Sequence, residues 1–269
     1  MEDILTKGYA VIPNFLTAEE IQIFLDDYEM CQTYPGMKDK IDMGNVSYSA
    51  SQSIKQKIQD TAAQTGLEVD LVVPYGMYTD TSKTTFMWHQ DAGNYLIIPE
   101  CYNYLNFYIP IDKPNPDISG ISVVPMDALK ASVPDYFNTF YKSAARRFIP
   151  QSNTTRVIED EDGRRWTLPL NIDTIAVSPK LNTGDLLLLR GDVIHKTQDN
   201  LTKRIAVSIR ATRGSAVASA DRIFKKGTRV KKTWLGGFEQ RMKEIFDKLG
   251  KDEITAEEMV QEWHTQIKL

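Results

Sequence analysis

Between residues 67 and 211 the chain is a succession of short runs rich in Val, Ile, Leu, Tyr and Phe, each closed by Gly, Pro, Asn or Asp. The runs are "LEVDLVVPYGMYT" (67–79), "TTFMWHQD" (84–91), "YLNFYIPI" (104–111), "GISVVP" (120–125), "DTIAVSP" (173–179), "GDLLLLR" (184–190) and "KRIAVSIRA" (203–211). β-branched and aromatic residues suit the pleated, half-buried surface of a sheet, and the punctuating residues suit turns. The pattern therefore predicts a double sheet or barrel instead of a parallel α/β sheet. Segment 126–170 breaks the run with mixed, Arg-containing sequence and reads as an insertion over one face.

The flanks are helical. "GYAVIPNF" (8–15) is strand-like, and Thr17 followed by Glu20 has capping-box spacing. Ile21, Phe24, Leu25 and Tyr28 then recur at i, i+3, i+4 and i+7, an apolar stripe that packs inward. Residues 31–50 read as a loop and 51–66 as a second helix. Beyond 235 the spacing of Phe238, Met242, Ile245, Phe246 and Leu249 is again helical. The expected organisation is one domain over 1–269. It has core strands at about 67–211, an N-terminal strand and helices at 8–66, the insertion at 126–170 and C-terminal helices at 235–269.

Composition narrows the class. A net charge of −4 gives no basis for nucleic acid or an anionic membrane as a partner, and no apolar run is long enough to span a bilayer. Two cysteines, Cys31 and Cys101, cannot build a disulfide framework, and "MEDILTKGYAVIP" lacks the layout of a secretory signal. A reducing, cytoplasmic setting is the expectation.

The chemistry centres on "FMWHQDAG". Strand residues alternate faces, so His89 and Asp91 share one face while Trp88 and Gln90 take the other. One of three histidines in the chain thus sits beside a carboxylate. His195 lies 106 residues later, just past "GDLLLLRGDVIH", at the rim of a predicted core strand. Two imidazoles and a carboxylate form a set that leaves coordination positions open, as in the facial triad of non-haem Fe(II) oxygenases. In "RIAVSIR", Arg204, Ala206, Ser208 and Arg210 share a face. An arginine inside a sheet is costly unless an anion meets it, and its planar fork suits a carboxylate. His264 falls in helical sequence outside these motifs.

The order of "GYAVIPNFLTAEEI", "HQD", "NFYIPID", "GISVVP", "GDLLLLRGDVIH" and "RIA" resembles the phytanoyl-CoA dioxygenase-like branch of the Fe(II)/2-oxoglutarate-dependent oxygenases, over residues 8 to 211. The resemblance implies a mainly β fold with added helices around a double-stranded β-helix (jelly-roll, cupin-like) core. It implies Fe(II) held by His89, Asp91 and His195, with O2 and 2-oxoglutarate as co-substrates. It also implies 2-oxoglutarate anchored by Arg204, with Arg210 as the competing anchor and with Thr197 and Gln90 as further co-substrate contacts. The chain departs from the family at "PMDA" (125–128), where a "PGSH"-like turn is common near the substrate entrance. Asp91 stands where halogenating relatives carry a small residue, so oxygenation is expected over halogenation.

Candidate substrate contacts are Trp88, Tyr108, Asn106 and Arg165, with Tyr78, Tyr104, Arg146, Arg147, Arg164 and Trp166 as further pocket groups. The expected substrate is a small polar metabolite bearing a carboxylate, such as an amino acid or a biosynthetic intermediate. Hydroxylation, or desaturation or ring closure by the same radical, is the expected outcome, with succinate and CO2 as co-products. An acyl-thioester hydroxylase, a non-catalytic jelly-roll binding protein and a cupin-like or O2-using enzyme independent of 2-oxoglutarate are the alternatives.

Overall fold

A computed structural model describes residues 1–33, 45–73, 76–80, 85–91, 101–144, 146–160, 163–226 and 236–265 of the 269-residue chain. Helix α1 (Glu2–Thr6) leads into β1 (Tyr9–Ile12) and α2 (Ala18–Thr33). The capping box forms: Thr17 N donates to Glu20 Oε2 at 2.8 Å and Glu20 N to Thr17 Oγ1 at 3.2 Å. Of the expected loop 31–50, residues 34–44 lie outside the described residues, and the remainder holds the end of α2, β2 (Asn45–Val46) and the start of α3 (Tyr48–Ser53). The single helix expected over 51–66 is instead two, α3 and α4 (Lys55–Ala63), separated at Ile54 by a backbone with φ −116°. The buried Ile54 side chain holds this break closed.

The core strands follow as β3 (Leu71–Val72), β4 (Gly76–Asp80), β5 (Tyr104–Asp112) and β6 (Ile121–Val124). The insertion contributes α5 (Met126–Ser132), α6 (Pro134–Phe140), β7 (Arg147–Pro150), β8 (Arg156–Glu159) and β9 (Arg165–Leu168). Then come β10 (Leu186–Arg190), β11 (Ile194–Thr197) and β12 (Ile205–Thr212). The C-terminal unit is β13 (Val217–Ser219), a π-helical turn (Arg222–Lys226), α7 (Gly236–Leu249), β14 (Glu253–Thr255) and α8 (Ala256–Thr265), which contains His264. No helix among the described residues is long and apolar enough to cross a membrane.

The larger sheet runs β1–β10–β5–β12–β4–β2 with β3 also on β12, and every pairing is antiparallel. Both its faces are covered. Leu186 and Leu188 enter a core with Phe24, Ile58 and Phe107, on the side of α2 to α4. Leu187 and Leu189 enter a second core with Tyr108, Val123 and Ile194. Double-sided burial is why β10 is a continuous leucine run and not an alternating one.

The smaller sheet is assembled from pieces. Strand β11 pairs with β6, and Val123 of β6 bridges Val177 on the far side. His89 bridges His195 on one edge and Arg147 on the other, which joins β7–β8–β9 to the same sheet. Three expectations change here. "TTFMWHQD" is not a regular strand: among its described residues only His89 makes ladder contacts. "DTIAVSP" is a 3-10 turn (Ile172–Thr174) followed by the single bridge at Val177. The insertion does not simply lie over a face; its strands continue the sheet that carries His89 and His195. The whole is a mainly antiparallel jelly roll with added helices and, among the described residues, no closed barrel.

A buried ion pair locks the turn before His195. Arg190 and Asp192 are both almost fully buried, with Arg190 Nε to Asp192 Oδ1 at 2.6 Å and Nη2 to Oδ2 at 3.0 Å. Arg190 Nη1 also donates to Ile4 O and Leu5 O, and its guanidinium lies 4.6 Å from the Tyr102 ring. Its backbone N–H donates to Gly8 O; Gly8 has φ +81°, and a Cβ there would meet Val193 Cγ2 at 2.5 Å. Removing one partner of such a pair leaves an uncompensated buried charge. Asp192→Ala should therefore lower unfolding free energy in urea by about 3–5 kcal/mol, and adding Arg190→Met should recover most of the loss.

Candidate metal centre

His89 and His195 meet through the backbone. His89 N donates to His195 O at 3.0 Å and His195 N to His89 O at 2.9 Å, a hydrogen-bonded antiparallel pair. Paired residues present their side chains on the same face, and Asp91 returns to that face two residues on. The imidazole centroids are 4.3 Å apart. Asp91 Oδ1 is 3.9 Å from His89 Nε2 and 3.7 Å from His195 Nε2, and one donor atom from each of the three residues lies within 4.8 Å of the others.

The imidazoles are oriented alike. His89 Nδ1 lies 2.7 Å from Met87 O, and His195 Nδ1 lies 2.9 Å from Val193 O. A carbonyl partner fixes the proton on Nδ1 and turns the Nε2 lone pair toward Asp91, the arrangement that metal-ligating histidines adopt. Burial and the neighbouring His195 hold the His89 imidazole down at about 4, so it is neutral and able to donate a lone pair at neutral pH. Burial would raise the Asp91 carboxyl, but His195, Arg210 and His89, with a hydrogen bond from Asn106, outweigh it and hold it below the usual range. Two imidazole nitrogens and one carboxylate converge, and this donor set fits a divalent transition metal with open positions.

The surrounding residues divide into groups that touch this cluster and groups that brace it. Asn106 is buried, bonds Asp91 through its side chain, and has an Oδ1 without a hydrogen-bond partner. Arg210, opposite Asn106 across β12 and β5, is a cation whose charge lowers the Asp91 carboxyl. Arg204 lies deeper. Its Nη1 donates to Tyr108 Oη at 2.5 Å and to Gly120 O at 3.3 Å, with its guanidinium 5.5 Å from the Tyr108 ring. Burial raises the Tyr108 hydroxyl and Arg204 opposes it, so the phenol stays protonated at neutral pH.

Other expected contacts are placed elsewhere. Gln90 is fully buried and its Nε2 donates to Phe140 O, Ser143 O and Asp192 O, which ties the ligand segment to the insertion and to the buried ion pair. Thr197 Oγ1 accepts from Phe86 N at 3.0 Å and clamps the same segment to β11. Trp88 points away from the cluster; its indole donates to Asp173 Oδ1 at 3.0 Å beneath Lys196. Arg165 is exposed on β9, paired with Glu159 at 2.6 Å, four positions out in the sheet from His195. Tyr78 faces the helices, where its hydroxyl donates to Asp27 Oδ2 at 2.6 Å. In sequence the bracing pair Arg190–Asp192 is only the "RGD" inside "GDLLLLRGDVIH", with nothing to mark its two charges as partners.

Fold and cluster together define a double-stranded β-helix with a His-Asp-His group at the mouth between its sheets. No family model and no curated protein sequence matches the chain. Solved structures match it in fold. One is the non-haem alpha-ketoglutarate-dependent carbocyclase SnoK from nogalamycin biosynthesis, with TM-score 0.53 and 15% identity over 80% of this chain and 83% of that one. The epimerase SnoN, in complex with Fe3+, alpha ketoglutarate and nogalamycin RO, gives 0.53 and 13% over 80% and 83%. EctD from S. alaskensis, with 2-oxoglutarate and 5-hydroxyectoine, gives 0.52 and 12% over 80% and 76%.

The His89 environment sets a pH dependence for the metal-free protein. Its folded-state value of about 4 lies below the ordinary 6.5, so the unfolded chain takes up a proton in that interval that the folded chain refuses. Stability is flat above pH 6.5 and falls as pH drops toward 4, by about 1–3 kcal/mol. Urea unfolding of chelator-treated protein across this range should show the decline, and His89→Gln should flatten it.

Proposed function

We propose that the chain is a non-haem Fe(II)/2-oxoglutarate-dependent oxygenase of the phytanoyl-CoA dioxygenase-like kind, acting on an unactivated C–H bond of a small polar, carboxylate-bearing metabolite. The observation that carries this reading is the convergence of His89, Asp91 and His195 on one face, each orienting a donor atom toward the others. The shared fold with 2-oxoglutarate-dependent enzymes supports it.

His89, Asp91 and His195 would hold the iron. Bound iron with 2-oxoglutarate and O2 supplies oxidative decarboxylation to succinate and CO2 and abstraction of a substrate hydrogen atom. The protein's part is to bind, orient and exclude water. Arg204 would take the remote carboxylate of 2-oxoglutarate, with the Tyr108 hydroxyl at its side. Its hydrogen-bond partner Gly120 O also accepts from Gln198 N, three residues past His195 and just beyond the end of β11. Three strand residues span ~10 Å, the reach of a five-carbon diacid chelated at the ligands. Arg210, whose charge acts on Asp91, is the competing anchor. Asp91 fills the position that a halide would need, which favours hydroxylation, desaturation or ring closure over halogenation.

Purified protein given Fe(II), ascorbate and 2-oxoglutarate, alone and with a metabolite library, should release succinate in a metal-dependent way. His89→Ala should lose iron binding and turnover together. Arg204→Met should raise the KM for 2-oxoglutarate at least about tenfold, the scale of one charge-assisted pair. Absence of metal-dependent succinate release across the library would favour a binding protein, and turnover indifferent to both Arg204→Met and Arg210→Met would favour an enzyme without 2-oxoglutarate.

A further inference from the structure

The register of the smaller sheet places His195, His89, Arg147, Glu159 and Arg165 side by side across successive chain segments. Directly paired residues share a face, so this row runs from the metal cluster out along β7, β8 and β9 on the metal side. The opposite face of these strands is buried through Phe148, Ile158 and Leu168, whereas Arg147, Ile149, Arg165 and Thr167 are exposed. The insertion thus extends the floor of the site as an open platform.

Arg147 is the first residue of that platform, one strand spacing from His89, and its charge is felt at the His89 ring. The other insertion arginines are engaged. Arg156 pairs with Asp173 at 2.5 Å and Arg164 with Asp160 at 3.1 Å. Arg146 is held by Ser143 and Ala144 O. Glu159 is the cross-strand partner of both Arg147 and Arg165, and its carboxylate goes to Arg165, whose Nε and Nη2 both reach Oε2 at 2.6 Å. The Arg147 guanidinium makes no hydrogen bond or ion pair among the described residues. With Glu159 neutralised by Arg165, the row carries one uncompensated positive charge, and it stands next to the metal cluster.

We propose that Arg147 is the anchor for the substrate's carboxylate. The inference rests on the oxygenase reading and deepens it by assigning the residue that selects an acid. Strand spacing puts that carboxylate roughly 5–10 Å from the metal, so the substrate is a compact acid whose reacting carbon lies a few bonds from its charge. An exposed guanidinium with no other partner can bind a carboxylate through two parallel hydrogen bonds, a geometry that lysine cannot reproduce.

The test uses the full chain loaded with Ni(II) in place of iron. Calorimetry first measures 2-oxoglutarate binding. Thermal-shift titrations then compare metabolite acids with their neutral methyl esters as probes. The wild type should prefer acids to esters by about tenfold in apparent affinity, the scale of one charge-assisted pair. Arg147→Met should abolish the preference and Arg147→Lys should restore part of it, while Arg164→Met, a control on the neighbouring outer turn, should leave it intact. Equal response to acids and esters in the wild type overturns the proposal. So does an acid preference that survives Arg147→Met, and one that disappears only in Arg210→Met moves the anchor there. A chain that binds metal but not 2-oxoglutarate sinks the oxygenase reading instead, and the acid preference is then scored on the metal-loaded protein by the same criteria.

Discussion

Two reciprocal backbone hydrogen bonds, between His89 and His195, are what the site depends on. They convert a separation of 106 residues in sequence into direct lateral contact, and they fix which way both imidazoles face. Almost everything nearby holds that pair in register. Thr197 clamps Phe86 on one side, and Arg146 O accepts from Gln90 N on the other. The Gln90 amide spans the insertion and the buried Asp192 turn. A short segment with little ladder of its own is held in place by its neighbours' polar groups.

Much of this was legible in the sequence. Seven short β-textured runs pointed to a double sheet or barrel over a parallel α/β sheet, and period-two alternation put His89 with Asp91 and Arg204 with Arg210 on shared faces. The capping box at Thr17 formed as its spacing demands. Such features depend on local periodicity or on side-chain chemistry within a few residues. What stayed hidden depends on who packs against whom. "TTFMWHQD" and "DTIAVSP" have strand composition, but each finds only a single bridging residue among those described. The 51–66 helix divides because tertiary contacts bury Ile54 at the break, which overrides a continuous helical propensity.

The substrate side was the least legible. Trp88 and Asn106 have the composition of pocket residues, yet one indole is spent on Asp173 and one amide on Asp91. The arginine pairs of the insertion look equivalent in sequence. Cross-strand register distinguishes them, because a single carboxylate, Glu159, lies between two of them and engages one. Likewise "RGD" gives no hint in sequence that its two charges are buried against each other beneath an aromatic ring.

Strand β12 interleaves two independent instructions. Ile205, Val207 and Ile209 belong to the helix-side core, while Ala206, Ser208 and Arg210 turn to the other face, between the sheets. Odd positions answer to the helix-side core and even ones to the space between the sheets. A descendant of this chain could therefore rewrite its even positions and reshape the space between the sheets while the odd ones keep the helix-side packing intact, so that innovation and persistence are carried by alternate letters of one strand.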